Sequence, residues 1–573
     1  MMPVSGGRLA QSRAHIDLFR PIFFLLAAVL GLLILLPLSW LVYYSFVDSE
    51  GGFTLANFVA LLTDSTMLEP FLRSILMAAM VSLVCCVVAA PLAWLTSRTD
   101  LPGRRFVRML VMASFVTPPF LGAIAWEILA APNSGLINEL FRFLTGQARS
   151  VHLVNIYTMQ GLIFVISCYT FPYVFTLVAN GLDQVPSDLE DASAIFGART
   201  LTTLSRITIP LVLPALLAGA LIAALQTLTI FGAPAILALP AGFYVATTKI
   251  WSLFQFPPQL ELAAAASMPL LLITIFLLQG KNWILGRKGY TIVGGKNGEP
   301  RITRLGRWKP PALAFTAAIL SLTVVLPYFA LFKTAFTHLV SDTLTFSHLS
   351  LEHFNFVFFN YSGTRLAVWN TFFLGIMTAT LGTLIALVTA YMVSRPSVRG
   401  ASLLGVLATA PIAFPAIVLG VGFFLTYSSP LLPLYGTLWI LLLAFLAIAM
   451  PAAYQQMSAA FQGIHIELEE AGRILGSSRL NTLVNITAPL LRTTVIATWC
   501  FIFIGTIREL SAAILLTTAN TKLISVMIYD LNESNNLGAI SILGILLLGV
   551  SFIIIALVTR MTGQGGIPMR QVG

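Results

Sequence analysis

Five places in this 573-residue chain put ionisable side chains where they could do chemistry. Two are short acidic runs, Glu190–Asp191 and Glu469–Glu470, each set in a polar break between apolar stretches. A third, Arg508–Glu509, interrupts an apolar run, and Glu127 stands near the end of another. The fifth is one polar segment that holds His338, His348 and His353 with Asp342 and Glu352. Histidines and carboxylates together can relay a metal ion. These spacings match no ligand motif, and a solvated loop is the preferred reading. Cys85, Cys86, Cys168 and Cys500 all lie in apolar runs without CxxC or metal-ligand spacing, so they read as small buried hydrophobes. No metal site is assigned. No HExxH, GxSxG or paired-Asp pattern is present, so no catalytic residue is assigned and an intramembrane enzyme is disfavoured.

The two acidic runs belong to one segment written twice. Leu189–Leu211 and Leu468–Leu490 lie 279 residues apart and match without a gap at 12 of 23 positions. In the first copy Ser187 and Glu190 have capping-box spacing. Asp188, Glu190 and Asp191 favour the positive end of a helix dipole. Gly197 is placed to end the short helix in a left-handed turn, and Pro210 suits the first turn of the next helix. The second copy keeps Leu468, Glu469, Glu470, Ala471, Gly476, Ile486 and Pro489 but lacks the Ser cap. Each copy therefore predicts a short helix lying across the mouth of two longer ones.

Those longer elements are read from composition. The chain is 58% hydrophobic and 9% charged, with mean hydropathy +0.91. Soluble domains carry about 25% charged residues, so a polytopic membrane protein is implied. Apolar runs of spanning length fall at roughly 21–46, 71–95, 109–131, 155–180, 210–237 and 262–280, then at 311–335, 367–393, 402–426, 435–458, 491–516 and 538–559. The fold class is thus all-α, with about twelve transmembrane helices in two parallel six-helix halves. The first run is too long for a cleavable signal. With the N-terminus inside, the cytoplasmic segments hold 23 of the 32 Lys and Arg against 10 acids, so both termini are expected in the cytoplasm.

The expected organisation is a cytoplasmic N-terminal segment (1–20), a first half (21–280) with its loop at 186–210, a basic linker (281–310), a second half (311–560) with its loop at 465–489, and a cytoplasmic tail (561–573). Net charge +10 resides mostly in cytoplasmic loops, so lipid headgroups are the expected neighbours and nucleic acid is not. Gly295-Lys296 is a near miss for a phosphate loop: Tyr290 stands where glycine is needed and Asn297 replaces Ser or Thr. Segments 51–69, 132–155 and 337–365 suit short external helices. Pro118-Pro119 and Pro411 to Pro415 predict kinked or broken spans.

At this point the chain resembles a family. Acid-Ala-small, three residues, Gly, nine residues, Ile, one residue, hydrophobic, Pro is similar to the EAA loop of binding-protein-dependent ABC importer permeases. The first copy supplies Asp191-Ala192-Ser193, Gly197, Ile207, Ile209 and Pro210, and the second Glu470-Ala471-Gly472, Gly476, Ile486, Ala488 and Pro489. The resemblance implies the type I importer fold and a multi-pass protein of the bacterial cytoplasmic (inner) membrane. It implies two copies of an ATP-binding subunit on the cytoplasmic face, carrying ATP and Mg, and a periplasmic or extracellular binding protein. This chain itself would bind no cofactor. Asp191 and Glu470, with Glu190 and Glu469 beside them, would meet the ATPases. Ala192 and Ala471 would allow close approach, and Gly197 and Gly476 would set the turn.

Fusion of both halves resembles iron(III)-transport permeases, and their thiamine and phosphonate relatives. Phe231-Gly232-Ala233-Pro234-Ala235 and Glu509-Leu510-Ser511-Ala512 look like equivalent segments of the two halves, although Ile230 stands where the first half of such permeases has an acid. Iron(III) is the expected cargo, with thiamine, a phosphonate or a phosphorylated sugar as alternatives. A secondary transporter with parallel repeats is the alternative of another class. Arg508 and Glu509, expected within a membrane helix, are candidates for the substrate pathway or for structural pairing across the bundle. Glu127 either lines the pathway or is solvated near the external end.

Overall fold

The computed structural model describes residues 19–148, 150–287, 302–340, 342, 345, 348–395, 400–430 and 432–561. The near-miss phosphate loop, most of the linker, and nearly all of the N-terminal segment and tail lie outside the described residues. Among the described residues regular structure is helical, with three isolated β-bridges.

Nine helices are long and apolar enough to cross a membrane, and three bent pairs bring the number to as many as twelve among the described residues. In the first half these are α1 (Arg20–Ser45), α2 (Ser65–Arg98), α3 (Arg104–Val116 with Pro119–Ala130), α4 (Met159–Gln184), α5 (Leu204–Thr229) and α6 (Leu260–Ile284). The second half contains α7 (Gly306–Phe336), α8 (Ser362–Ser394), α9 (Ala401–Ala413 with Ala416–Tyr427), α10 (Leu438–Gln462), α11 (Arg479–Leu490 with Arg492–Ile507) and α12 (Leu537–Met561). The sharp bends in α3 (99°) and α9 (109°) have one cause. A residue before proline is pushed out of the helical region, and Thr117 (ψ 124°) and Phe414 (ψ 119°) are extended accordingly. Pro119 then begins the second arm of α3 at a position where no N–H is needed.

Within each half the same three elements form the centre: α2, α4 and α5 pack together, as do α8, α10 and α11. The first helix of each half crosses over. Leu36–Ser45 of α1 packs on Ala416–Tyr427 of α9, and Leu326–Phe336 of α7 packs on Pro119–Ala130 of α3. The α1–α9 approach is close enough that a Cβ on Gly422 would lie 2.9 Å from the Pro37 carbonyl oxygen. On the other side, the Tyr328 hydroxyl of α7 meets Thr117 Oγ1 at 2.7 Å, at the bend of α3.

The repeat has two registers. Arg98 and Arg395, like Pro118 and Pro415, are offset by 297 residues, whereas Glu190 and Glu469 are offset by 279. The 18-residue difference falls between α3 and α4, where residues 131–158 correspond to the shorter 428–437. The longer connection carries the helix Leu136–Thr145. Buried Asn138 ties it down, donating to the Ala131 and Val154 carbonyls and accepting from the Leu153 and Val154 amides. Two other expected surface helices also form, at Ala56–Thr63 and at Glu352–Asn355 with its π-helical continuation to Asn360.

Candidate functional site

After α4 the chain turns at Val185-Pro186 into the short helix Ser187–Ile195. Its end is Gly197, at φ +79°, the left-handed conformation that glycine adopts without a Cβ penalty. A short helix, Thr200–Thr203, and a π turn, Leu204–Thr208, lead into the rest of α5. The second copy repeats this: helix Glu467–Ile474, Gly476 at φ +91°, helix Arg479–Thr482 and π turn Leu483–Thr487.

Each helix is clamped by an arginine from the foot of a membrane helix. Arg98, the last residue of α2, is 1% exposed. Its Nη1 lies 3.3 Å from Glu190 Oε2, and Nη2 donates to the Val185 carbonyl at 2.6 Å and to the Leu182 carbonyl. Glu190 Oε1 in turn accepts from Thr208 Oγ1 at 2.9 Å. In the second half Arg395 Nε lies 3.4 Å from Glu469 Oε1, its Nη2 donates to the Ile464 carbonyl at 2.8 Å, and Thr487 Oγ1 donates to Glu469 at 3.3 Å. Glu190, Val185 and Thr208 map onto Glu469, Ile464 and Thr487 at the 279 offset. A buried carboxylate is tolerated because it is paired and hydrogen-bonded. The expected capping box is corrected here. Pro186, which has no side-chain acceptor, takes the N-cap position, and Glu190 is turned inward to Arg98 and Thr208.

The other faces of the short helices are open. Asp191, Ala192, Glu470 and Ala471 are exposed, whereas Ser193 and Gly472 are partly covered. Ser193 Oγ meets Thr203 Oγ1 at 2.9 Å, and a Cβ on Gly472 would lie 2.6 Å from Ile486 Cδ1. The third motif position is therefore small because it packs on the following strand of chain. The sequence reading missed four residues here. Ile195, Phe196, Ile474 and Leu475 are 85–90% exposed, apolar tips held outward beside the two glycines. Large apolar side chains paired at such a place mark a contact surface. The available signal was an apolar pair before glycine in both copies.

The foot of α2 beneath the first loop is also braced by the end of the linker. Thr303 N donates to the Arg98 carbonyl at 2.8 Å, and Leu305 N donates to Asp100 Oδ1 at 2.8 Å. That amide, followed by Lys309, holds the Asp100 carboxyl below its usual range.

Contrary to the expectation that they lie within a membrane helix, Arg508 and Glu509 fall outside one. The second arm of α11 ends at Ile507, and both residues occupy the break before the short helix Ala513–Leu516. Arg508 Nη1 crosses to the first half and donates to the Phe115 and Val116 carbonyls at 3.2 and 3.0 Å. Those are end carbonyls of the first arm of α3, where a cation complements the helix dipole. Glu509 Oε1 accepts from Ala512 N at 3.0 Å, capping the next turn. In the first half the equivalent break holds Ile230 and fully buried Phe231. Gly232 is required there, since its Cβ would lie 2.7 Å from Phe120 Cβ and 3.2 Å from Leu510 of the other half.

Glu127 is not solvated. It is 7% exposed, and its Oε1 accepts from Tyr157 OH at 2.7 Å. It shares the wall of a cavity of about 400 Å³ with residues of the second half, including Tyr529 and Glu533. Neither Arg508 nor Glu509 lines that cavity. In the external segment His338 Nδ1 meets Glu352 at 2.8 Å, His348 meets Thr345 at 3.2 Å and His353 meets the Thr337 carbonyl at 3.1 Å. Among the described residues no three His, Cys, Asp or Glu converge as a metal cluster.

Two matched helical halves, each carrying a clamped loop on the same face, define a two-half membrane permease. The model of the binding-protein-dependent transport system inner membrane component family matches residues 87–287 and again 380–562, and the chain belongs to that family. It is a multi-pass transport component of an ABC importer, and it works with ATP-hydrolysing subunits and a substrate-binding protein. The chain is 25% identical over 564 residues to the ferric transport system permease protein FbpB of Actinobacillus pleuropneumoniae, covering 96% of this chain and 80% of that one. It is 23% identical to the Fe(3+)-transport system permease protein FbpB 2 of Haemophilus influenzae, covering 89% and 93%. A half-length relative is the trehalose/maltose transport system permease protein MalG of Thermococcus litoralis, 28% identical over 36% of this chain and 71% of that protein.

Proposed function

We propose that this chain forms the whole translocation pathway of an iron(III) importer in the bacterial inner membrane, with both termini in the cytoplasm. Its units are the two halves at 21–280 and 311–560, joined by the basic linker at 281–310, which faces anionic lipid. Two ATP-binding subunits, which carry ATP and Mg, dock one on each of the loops at 186–210 and 465–489. Asp191 and Glu470 offer the charge, Ala192 and Ala471 the close approach, and Gly197 and Gly476 the turn. Ile195, Phe196, Ile474 and Leu475 supply apolar contact area. Glu190 and Glu469 act one layer deeper. They join each docking helix to Arg98 or Arg395, so that displacement of the helix is carried into α2 or α8. The single observation that supports this reading is the repeated arginine clamp beneath an exposed helix face. Iron(III) is favoured as cargo because both ferric permeases align along most of the chain.

Glu127 is the pathway residue best supported by geometry. Arg508 is a cross-half brace that holds the bend of α3, and Glu509 shapes the break that follows α11. The test is charge reversal of both docking acids, D191K with E470K. Membrane insertion is expected to persist while ATPase co-purification and binding-protein-dependent iron(III) uptake are lost. Normal co-purification and uptake in that variant would refute docking through these loops.

A further inference from the structure

We infer that the cavity between the two halves, at the end of the molecule away from the docking loops, is a way station for a hard trivalent metal cation. Glu127 and Glu533 supply its anionic oxygens. The site deepens the iron(III) reading and rests on it for the identity of the cargo. Of the oxygen-bearing side chains that line the same space of about 400 Å³, Glu127, Tyr157, Tyr529 and Glu533 supply an acid and a phenol from each half. The first half brings Glu127, from the second arm of α3, with Tyr157 from the turn before α4 at 2.7 Å. The second half brings Tyr529 and Glu533, one helical turn apart on the helix Ile524–Glu533.

Two oxygens of this wall have no partner among the described residues: Glu127 Oε2 and Asn532 Oδ1. Glu127 is more than nine-tenths buried. An anionic oxygen left without a donor is costly, and a cation drawn against the Glu127 carboxylate would relieve that cost. The donor set is all oxygen, which suits hard cations, whereas the nitrogen and sulfur ligands of softer metals are absent from the wall. Lys249 lies over the Tyr244 ring at 5.5 Å and is not among the lining residues.

An organic cation would instead need open aromatic faces. Of the four lining rings, Tyr244 is covered by the Lys249 ammonium and the Tyr157 hydroxyl is held by Glu127, while Trp251 and Tyr529 are packed together. Trp251 meets Tyr529 edge to face at 5.9 Å, and both lie against buried Phe231. The space would hold roughly ten waters at about 30 Å³ each, enough for a partly hydrated ion. Because the walls belong to different halves, relative movement of the halves would separate the acid and phenol of one half from those of the other and release the ion.

The experiment uses the permease with its ATPase in nanodiscs. Terbium(III) is titrated, and emission sensitised by tyrosine and tryptophan is followed. In parallel, proteoliposomes report binding-protein-dependent iron(III) uptake. Saturable emission is expected, displaced by gallium(III) and not by spermidine. E127Q and E533Q should each weaken terbium binding by about tenfold or more and lower uptake, with E127D retaining most of both. An intact complex on gel filtration reports folding of each variant. Unchanged terbium affinity in the doubly neutralised variant would overturn the site, as would displacement by spermidine but not gallium. A wild-type complex that binds terbium through Glu127 yet takes up no iron(III) would instead sink the iron reading and leave the cation site standing.

Discussion

The two repeated polar loops share a skeleton, whereas the two breaks after α5 and α11 do not. In the loops an arginine from a helix foot, a buried glutamate and a threonine recur at matched positions, and so do a left-handed glycine and a π turn. In the breaks Thr229-Ile230-Phe231 occupies the place of Arg508-Glu509-Leu510. Both breaks keep one backbone contact: Thr247 Oγ1 donates to the Ile230 carbonyl at 2.8 Å, and Ser525 Oγ donates to the Glu509 carbonyl at 2.7 Å. Their side chains have diverged, one set into an apolar plug and the other into a cross-half brace. At the repeated loops the duplication has stayed symmetric. At the breaks, where the two halves meet, their side chains have specialised.

The loops are not equal in depth, and this offers the sharpest test. Arg98 is 1% exposed and Arg395 is more open, with 15% of its side chain accessible. R98A leaves Glu190 buried without its cation, a loss of about 3–5 kcal/mol for a fully buried pair. R395A should cost less, because water can reach the gap. Chemical denaturation of the purified permease, with uncoupled ATPase activity of the complex, reads both, and equal losses would contradict the difference in depth.

The breaks give the next effect. R508A removes two charge-assisted hydrogen bonds to the end of the α3 arm, worth about 1.5–3 kcal/mol for a bond to a charged group. T229A, at the equivalent place, should fall within about 0.5 kcal/mol of wild type. Hydrogen exchange at residues 113–117 should rise in R508A alone, and a rise in both would break the assignment of Arg508 as a brace.

A smaller, symmetric effect is expected at the turns. G197A and G476A place a Cβ at φ +79° and +91°, costing about 1–2 kcal/mol each. Similar losses of ATPase affinity in the two variants are expected in a binding titration, and a marked inequality would show that the loops bear unequal loads.

The smallest effect concerns the brace found on the first loop alone. Asp100 has its carboxyl held below its ordinary value of 3.8 by the Leu305 amide. A depressed acid contributes stability that is present above the unfolded value and lost as pH falls through the folded one. Protection of residues 302–305 should therefore hold at neutral pH and fade below about pH 4. D100N should remove the pH dependence of that protection, measured by exchange, without touching the second loop.

The number and order of spans, two of the three sharp bends and the place of both repeated polar loops were legible in the sequence. Apolar run length, proline and a gapless repeat are local signals, and each acts within a few residues. The Glu190 and Glu469 partners were not legible, since Arg98 and Arg395 sit 92 and 74 residues earlier at a different repeat offset, shifted by the connection around Leu136–Thr145. Arg508 looked like an intramembrane charge because its run is apolar on both sides. Only the fold reveals that the helix stops one residue before it and that its partners belong to the other half.

The sequence by itself determined that the chain is a duplicated, membrane-spanning helical protein with two like-facing polar loops, because hydropathy and turn chemistry are properties of neighbouring residues. The tertiary structure decided which carboxylates are buried and which are presented. It also decided that α1 and α7 exchange halves, and that Glu127 shares a cavity with Glu533. Those outcomes depend on desolvation and on contacts between residues hundreds of positions apart, which no local pattern encodes.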